Sequence, residues 1–519
     1  MRYVLGLIST LTWLFYSVAY VFRSTVGDHT EASVAAQAIA WHNGQPLYDS
    51  VQALYTPLYG PVLFVANRIH LLLSPDILAT GKLLGILASG VGLFVIFRVA
   101  RRRVELPDSV FVTGFFATAL MAFGTYPISV RGDGLLFLFV SLSVLLMDSV
   151  ASNRKVGGLG PFLLGALVGL AMGVKVTAAF YFLPAAAVLL GKNFQLRRLI
   201  YAAIGGVLFL TVPFLLFDAL DPTAYFEVIM RATSHPKLIA KGLGVLAWVG
   251  IFLLPMIATL LIRTDFTQWW AFYRWPVGAF GVGLLLLTLS GSKIGAGAHH
   301  AMPLIPVVAW IWSGALGTPR PGLGRTRTRV LISVSSLMLA ALFVFSVQKI
   351  QQETTTLDSE ITARAISEIE MILVEEYPNS IAMGYGGDYR LSFLRSWVLA
   401  EGHPYTLDSG VLMDLDLLGA GVDRDMLEFF RSCGIDRWII PRGATPFQVR
   451  SYYGEYGSGN VFGPDLGRVF GESYELLDTH SIFEVWGCRQ SAGSQEATEF
   501  GMTSLSGDEA EIEYRMQER

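Results

Sequence analysis

The chain has 519 residues, 53% of them hydrophobic and only 15% charged, with a mean hydropathy of +0.51, a profile that excludes an ordinary soluble globular protein and points to a multi-span membrane protein. A formal net charge of −3 and a pI near 6.3 leave no basic excess, so nothing marks nucleic acid as a partner. The two cysteines, Cys433 and Cys488, both follow the last apolar stretch, where a disulfide and a pair of buried thiols fit equally well.

Met1 and Arg2 precede an apolar run from Tyr3 to Phe22 with no small-residue cleavage site before Arg23. The run predicts a first transmembrane helix rather than a signal peptide. From Gly27 to Tyr59 a polar loop gathers Asp28, His29, Glu31, His42 and Asp49 with several tyrosines. The next apolar segment, Pro57 to Leu73, carries Arg68 and His70 between prolines and reads as an interfacial helix along the outer leaflet. Further spans are predicted at residues 80–98, 108–126, 134–150, 159–174, 176–190, 199–217, 243–262, 275–290, 299–316 and 330–347, about eleven in all at roughly 20 residues each.

Basic residues collect in alternate turns: Arg98 with Arg101, Arg102 and Arg103; Arg154 with Lys155; Lys192 with Arg197 and Arg198; Arg263 with Arg274; and residues 320–329. The positive-inside rule places these turns in the cytoplasm. The expected topology is a multi-pass protein of the plasma (inner) membrane, with its N-terminus cytoplasmic and its C-terminal part extracytoplasmic. Residues 1–347 then form the membrane part, with its first outer loop at 23–79. From Gln348 the composition becomes that of a soluble α/β domain reaching to residue 489, with a helix over 357–376, short strands at SIAMGY and RWIIP, a helix at DRDMLEFFRSCG and a terminal hairpin at ELLDTHSIFEVWGC. It holds no Gly-rich phosphate loop. Residues 490–519, rich in Ser, Gly and Glu, read as a disordered tail.

Ionisable groups near a membrane are expensive and tend to mark function. On the predicted outer side stand Asp28, His29 and Glu31, then Arg131 and Asp133 in SVRGDGLLF, Lys175 in GLAMGVKVTAAF, and Lys293, His299 and His300 in SGSKIGAGAHHAMPLIP. A carboxylate that takes a proton from a hydroxyl, beside cations that stabilise a leaving phosphate, is what sugar transfer from a lipid phosphate requires. Asp28 is the candidate base; Arg131, Lys175, Lys293, His299 and His300 are candidates for the lipid phosphate, with Asp133 in support and Tyr55 and Tyr59 beside the loop. Plainer roles compete at each position. Asp28 also suits a helix cap, with Glu31 completing a capping box; Lys175 suits a snorkelling lysine; Arg131 and Asp133 suit a pair that closes a turn. The loop at 218–241 reads as solvated, and most tyrosines and tryptophans at span ends as interface anchors.

Taken in order, the Asp-led loop, YTPLYGP from Tyr55, Arg131 and Asp133 at the start of a span, Lys175 in a Gly-rich hairpin, and GSKIGAGAHHAMPLIP from Gly291 to Pro306 resemble the GT-C superfamily of polyprenyl-phosphate-sugar-dependent integral membrane glycosyltransferases. Within it the chain is similar to the protein mannosyltransferases and aminoarabinose transferases. The resemblance covers residues 1–347. It implies an inverting transfer to a hydroxyl acceptor on a glycan, protein or lipid, with Asp28 as base. Many relatives place Glu directly after the loop Asp; here His29 stands there and Glu31 is displaced. Single-sugar members of the superfamily generally use no metal, so no cofactor is expected. A multi-span transporter and an envelope-binding scaffold are the alternatives; a transporter predicts polar groups near the bilayer midplane.

Overall fold

The computed structural model describes residues 1–24, 26–48, 57–71, 77–151, 158–190, 195–217, 219–320, 325–354, 359–417, 422–450 and 459–489. Among them, eight helices are long and apolar enough to cross a membrane: Arg2–Val21, Leu78–Arg101, Asp133–Ala151, Leu196–Leu216, Ile239–Ile262, Phe266–Gly291, Ala298–Gly317 and Arg329–Gln351. Three shorter apolar helices, Leu106–Met121, Leu159–Met172 and Val176–Leu189, occupy the remaining predicted spans. The protein is thus a multi-pass membrane protein, in which the expected count of eleven divides into eight full-length and three short helices.

Small residues let the helices approach closely, as membrane packing requires where lipid is as apolar as Leu. A Cβ at Gly165 would lie 1.8 Å from the Ala202 carbonyl oxygen, and one at Gly169 2.3 Å from that of Gly206, so Leu159–Met172 and Leu196–Leu216 meet backbone to backbone.

One end of the bundle is bound by ion pairs. Arg2 and Arg263 share Asp108, and Asp148 takes Arg102 at 2.7 Å, Arg103, and the indole N–H of Trp310 at 3.2 Å. The opposite end carries the polar loops. There Asp28 opens the helix His29–His42, and Pro61–Leu71 is a short helix as expected for the interfacial segment. Pro222–Thr233 adds another helix in a stretch expected to be loop.

The C-terminal region stands on this second end. Its sheet runs β1 (Ile381–Met383), β2 (Arg437–Pro441), β4 (Phe483–Cys488), β3 (Tyr474–Thr479) across, with β1 and β2 parallel and the other pairs antiparallel. Helices Ser359–Glu375, Arg424–Arg431 and Gly463–Ser473 cover it. The predicted strands, helices and hairpin fall where the sequence pattern put them. Cys433 and Cys488 form a disulfide with a Cα–Cα distance of 5.8 Å, which ties the turn after Arg424–Arg431 to the last strand.

Candidate active site

Close approaches at three glycines, Gly60, Gly132 and Gly173, explain the short motifs. Pro61 starts the helix Pro61–Leu71, and Gly60 just before it lies against Gly173, where a Cβ would meet the carbonyl oxygen at 2.3 Å. Gly60 N–H donates to Val174 O at 2.9 Å and Val62 N–H to Gly173 O at 2.8 Å. On the other side a Cβ at Gly132 would lie 2.3 Å from Val174 Cγ1. The turn that presents Lys175 is therefore wedged between the Tyr59-Gly60-Pro61 and Arg131-Gly132-Asp133 segments, and only glycine fits at either face.

Asp28 caps the helix His29–His42 through Oδ1, which accepts from Glu31 N–H at 2.8 Å. Its Oδ2 accepts from Arg131 Nη1 at 2.5 Å. The cap and the site residue are the same carboxylate, each oxygen with its own task. Arg131, 5% exposed, also donates through Nε to Asp133 Oδ2 at 3.1 Å and through Nη2 to the Tyr59 hydroxyl at 3.5 Å, and its Cζ stands 4.1 Å from the centre of the Tyr126 ring. Tyr126 in turn packs edge-on against His299 with ring centres 5.0 Å apart. Lys175 Nζ lies 3.2 Å from His300 Nε2, and Tyr181 donates to the His300 carbonyl at 3.0 Å. An ammonium can only donate. Against an ammonium His300 Nε2 is the acceptor, and the other ring nitrogen, Nδ1, is buried with no partner among the described residues.

These groups line one cavity of about 340 Å³. Asp28, His29, Tyr59, Arg131, Lys175, Lys293, His299 and His300 all border it, so the structure brings together eight of the sequence-predicted positions from four separate loops. Burial holds the His29 imidazole below its usual value of 6.5, against Asp28 and Asp408, which favour its charged form. Asp133 stands behind Arg131 as its buttress and does not reach the cavity lining. Tyr55 lies outside the described residues.

Glu31 is a correction. Placed by the sequence with Asp28 and His29 among the outer-side candidates, its side chain instead turns inward: it is fully buried and accepts from Gly27 N–H at 2.6 Å, Val130 N–H at 3.2 Å and the Tyr20 hydroxyl. The carboxylate staples the loop to the first helix and to the segment that carries Arg131. Burial raises its pKa, with nearby Lys82 acting in the opposite direction. The solvated reading of residues 218–241 also needs correcting, since Ile229, Thr233, His235 and Lys241 line the cavity.

The sequence reading missed the roof. Asp408, Gly410, Val411, Met413 and Asp414, from the helix Ser409–Asp416 and its cap, close the cavity from the C-terminal side. Asp408 accepts from Gly410 N–H at 2.7 Å and Val411 N–H at 3.1 Å, and is held by Tyr405 and by Arg395 at 3.4 Å. Burial alone would raise the Asp408 carboxyl; Arg395 and the hydrogen bonds bring it below its usual value. A Cβ at Gly410 would come within 3.3 Å of His29 Cδ2, so the roof rests directly on the loop helix. Among the described residues no group of three or more His, Cys, Asp or Glu is placed to hold a metal ion.

The chain is an apolar helical bundle whose polar loops close around one cavity at one end, beneath a small α/β region, an architecture it shares with solved membrane proteins. Residues 57–217 match the family model described as dolichyl-phosphate-mannose-protein mannosyltransferase. Two crystal structures of ArnT from Cupriavidus metallidurans share the fold: one bound to undecaprenyl phosphate, at 13% identity, and one in the apo state, at 14%. Each alignment covers 93% of this chain and 97% of the other, with a TM-score of 0.57. No curated protein sequence matches the chain.

Proposed function

We propose that the protein is a glycosyltransferase that moves a sugar from a polyprenyl-phosphate donor to a hydroxyl acceptor on the extracytoplasmic face of the plasma membrane, with inversion at the anomeric carbon. The observation that carries this reading is the meeting, in one cavity, of the Asp28 carboxylate with cations from three other loops, Arg131, Lys175 and Lys293. The family-model match over residues 57–217 and the fold shared with ArnT, one structure of which holds undecaprenyl phosphate, support the same donor class.

In this reaction the acceptor oxygen attacks the anomeric carbon and its proton passes to Asp28. The bond from that carbon to the phosphate oxygen breaks, and polyprenyl phosphate leaves with one more negative charge. Lys175 and Lys293 face that charge, with His300 beside Lys175 at 3.2 Å. Arg131 orients Asp28 while remaining anchored to Asp133. The clustering of these groups at one end of the bundle favours transfer at a surface over transport through the midplane. The basic turns at the opposite end support an orientation with that end in the cytoplasm.

The test uses the purified protein in lipid nanodiscs with a panel of labelled undecaprenyl-phosphate sugars, following release of undecaprenyl phosphate by wild type and Asp28→Asn. Asparagine caps a helix as well as aspartate and Arg131 keeps Asp133 as an ion-pair partner, so the base is removed while the cap and one of the two ion pairs remain, and turnover is compared per folded protein. Turnover is expected to fall by at least about 10²-fold. Equal turnover in the two proteins would reduce Asp28 to a cap and overturn the assignment.

A further inference from the structure

Tyr59 lines the cavity and is tied to both sides of the site. Its main chain belongs to the phosphate side: Tyr59 O accepts from the Tyr48 hydroxyl at 2.7 Å, and the next residue, Gly60, donates its N–H at 2.9 Å to Val174 O, directly before Lys175. Its side chain reaches the base side, where the phenol oxygen accepts from Arg131 Nη2 at 3.5 Å. The same guanidinium holds Asp28 through Nη1 at 2.5 Å. Tyr59 therefore spans the interval between the candidate base and the cations assigned to the leaving phosphate. In an inverting displacement the base and the attacking oxygen stand on one face of the anomeric carbon and the leaving group on the other, so the sugar occupies that same interval.

The hydroxyl contributes little to holding the loops in place. Its contact with Arg131 lies at the outer limit of a hydrogen bond, and Arg131 is fixed without it by Asp28, by Asp133 at 3.1 Å and by the Tyr126 ring at 4.1 Å. The wedge around Lys175 uses the backbone of Tyr59 and Gly60 and not the phenol. A phenol carries one O–H donor besides its acceptor lone pairs. A lone pair is turned to Arg131, and among the described residues the proton has no acceptor. Burial pushes the phenol above its usual value of 10.0, with the Arg131 charge acting in the opposite direction, so the proton stays on the oxygen.

We propose that Tyr59 is a specificity-determining contact to the donor sugar, its hydroxyl donating to a ring hydroxyl close to the anomeric carbon. The assignment rests on the function proposed above and names what reads the sugar within it. Lys175 and Lys293 answer the phosphate charge, to which a neutral phenol adds little, whereas a sugar hydroxyl is matched by a neutral donor of fixed direction. A site built to hydrogen-bond a substrate hydroxyl rejects the analogue that lacks it.

The test takes the full chain in lipid nanodiscs, without acceptor, and compares wild type with Tyr59→Phe, which keeps the ring and removes only the oxygen. Binding is measured for undecaprenyl phosphate, for a panel of undecaprenyl-phosphate sugars, and for monodeoxy analogues of the sugar bound most tightly. The variant is expected to bind the preferred sugar lipid about tenfold more weakly than wild type, as one lost hydrogen bond provides, and undecaprenyl phosphate equally well. For one monodeoxy analogue the two proteins should agree, because the hydroxyl that Tyr59 reads is missing. Equal weakening across every analogue, or weaker binding of undecaprenyl phosphate itself, makes Tyr59 a structural or phosphate contact and overturns the assignment. Wild-type affinity of the variant throughout, or a wild type to which no sugar adds affinity, overturns it as well while leaving the lipid-phosphate reading of the inner site in place. A wild type that binds none of these lipids refutes that reading, and the assignment falls with it.

Discussion

Arg131→Ala probes how the site is held together. The guanidinium is the shared partner of two carboxylates, Asp28 and Asp133, whose side chains are 16% and 5% exposed. Removing one partner of a buried ion pair costs about 3–5 kcal/mol, because the remaining charge stays desolvated without compensation. Asp28 keeps its Glu31 N–H and some access to water, so Asp133 bears most of the penalty. Loss of the contact over Tyr126 adds about 0.5–2 kcal/mol. The expected total is about 3.5–7 kcal/mol, a large share of the 5–15 kcal/mol that holds a typical protein folded. Chemical unfolding in nanodiscs, followed by tryptophan fluorescence, reads this loss. In Arg131→Ala/Asp133→Asn the orphaned charge is gone, and at least about 1 kcal/mol should return as a coupling energy between the two positions. A single variant that loses less than about 1 kcal/mol, or a double variant that is strictly additive, would refute the view that Arg131 is the structural keystone of the site.

Two further expectations separate structure from chemistry nearby. Glu31→Ala leaves the Gly27 and Val130 N–H groups without their acceptor, at about 1–3 kcal/mol each, so stability should fall while the folded fraction keeps wild-type affinity for undecaprenyl phosphate; a selective loss of binding in a stably folded variant would return Glu31 to the site. His29 is a base whose pKa is depressed by burial, so the unfolded chain takes up the proton first as pH falls. Stability should therefore be flat above pH 6.5 and decline as pH drops below it, and His29→Gln should lessen that decline; a His29-dependent rise in melting temperature on acidification would contradict the burial of the ring.

What was legible in the sequence follows from contrast. In a chain this apolar, Asp28, Arg131, Lys175, Lys293, His299 and His300 stand out because charge beside a membrane is costly, and the alternation of basic turns assigns them to one end. The spans are legible for the same reason, since hydropathy reports them without tertiary information. Glu31 shows the limit of that logic. It has the same chemistry and the same loop as Asp28, yet its side chain turns inward to Tyr20 and Val130, a choice made by backbone donors that no local pattern reveals. The capping-box spacing was the available signal, and the structure bears out its first half in the Asp28 to Glu31 N–H bond. Asp408 and Asp414 were hidden for the opposite reason: in a soluble α/β region an aspartate carries no contrast. His235 and Lys241 sit in a polar stretch whose helix, Pro222–Thr233, shows only once the fold sets it beside the cavity.

The roof also bears on where the functional unit ends. Composition divides the chain near residue 347, but the contacts do not respect that line. The loop helix His29–His42 meets the C-terminal region at both ends: Asn43 donates to Leu399 O at 2.7 Å and Gln45 accepts from Tyr405 N–H at 2.9 Å, while Gly410 packs on His29 one residue from the candidate base. Phe393, Leu399 and Tyr405 belong to the same apolar core as the bundle. The cap of the roof helix, Asp408, is locked by Arg395 and Tyr405, so the segment that closes the cavity is rigid where it touches the loop. A side chain that must hold a base within a fraction of an ångström needs such support from a second layer. The surroundings of Asp28 thus include residues nearly four hundred positions away, and the unit that builds the candidate site extends at least as far as the helix Ser409–Asp416.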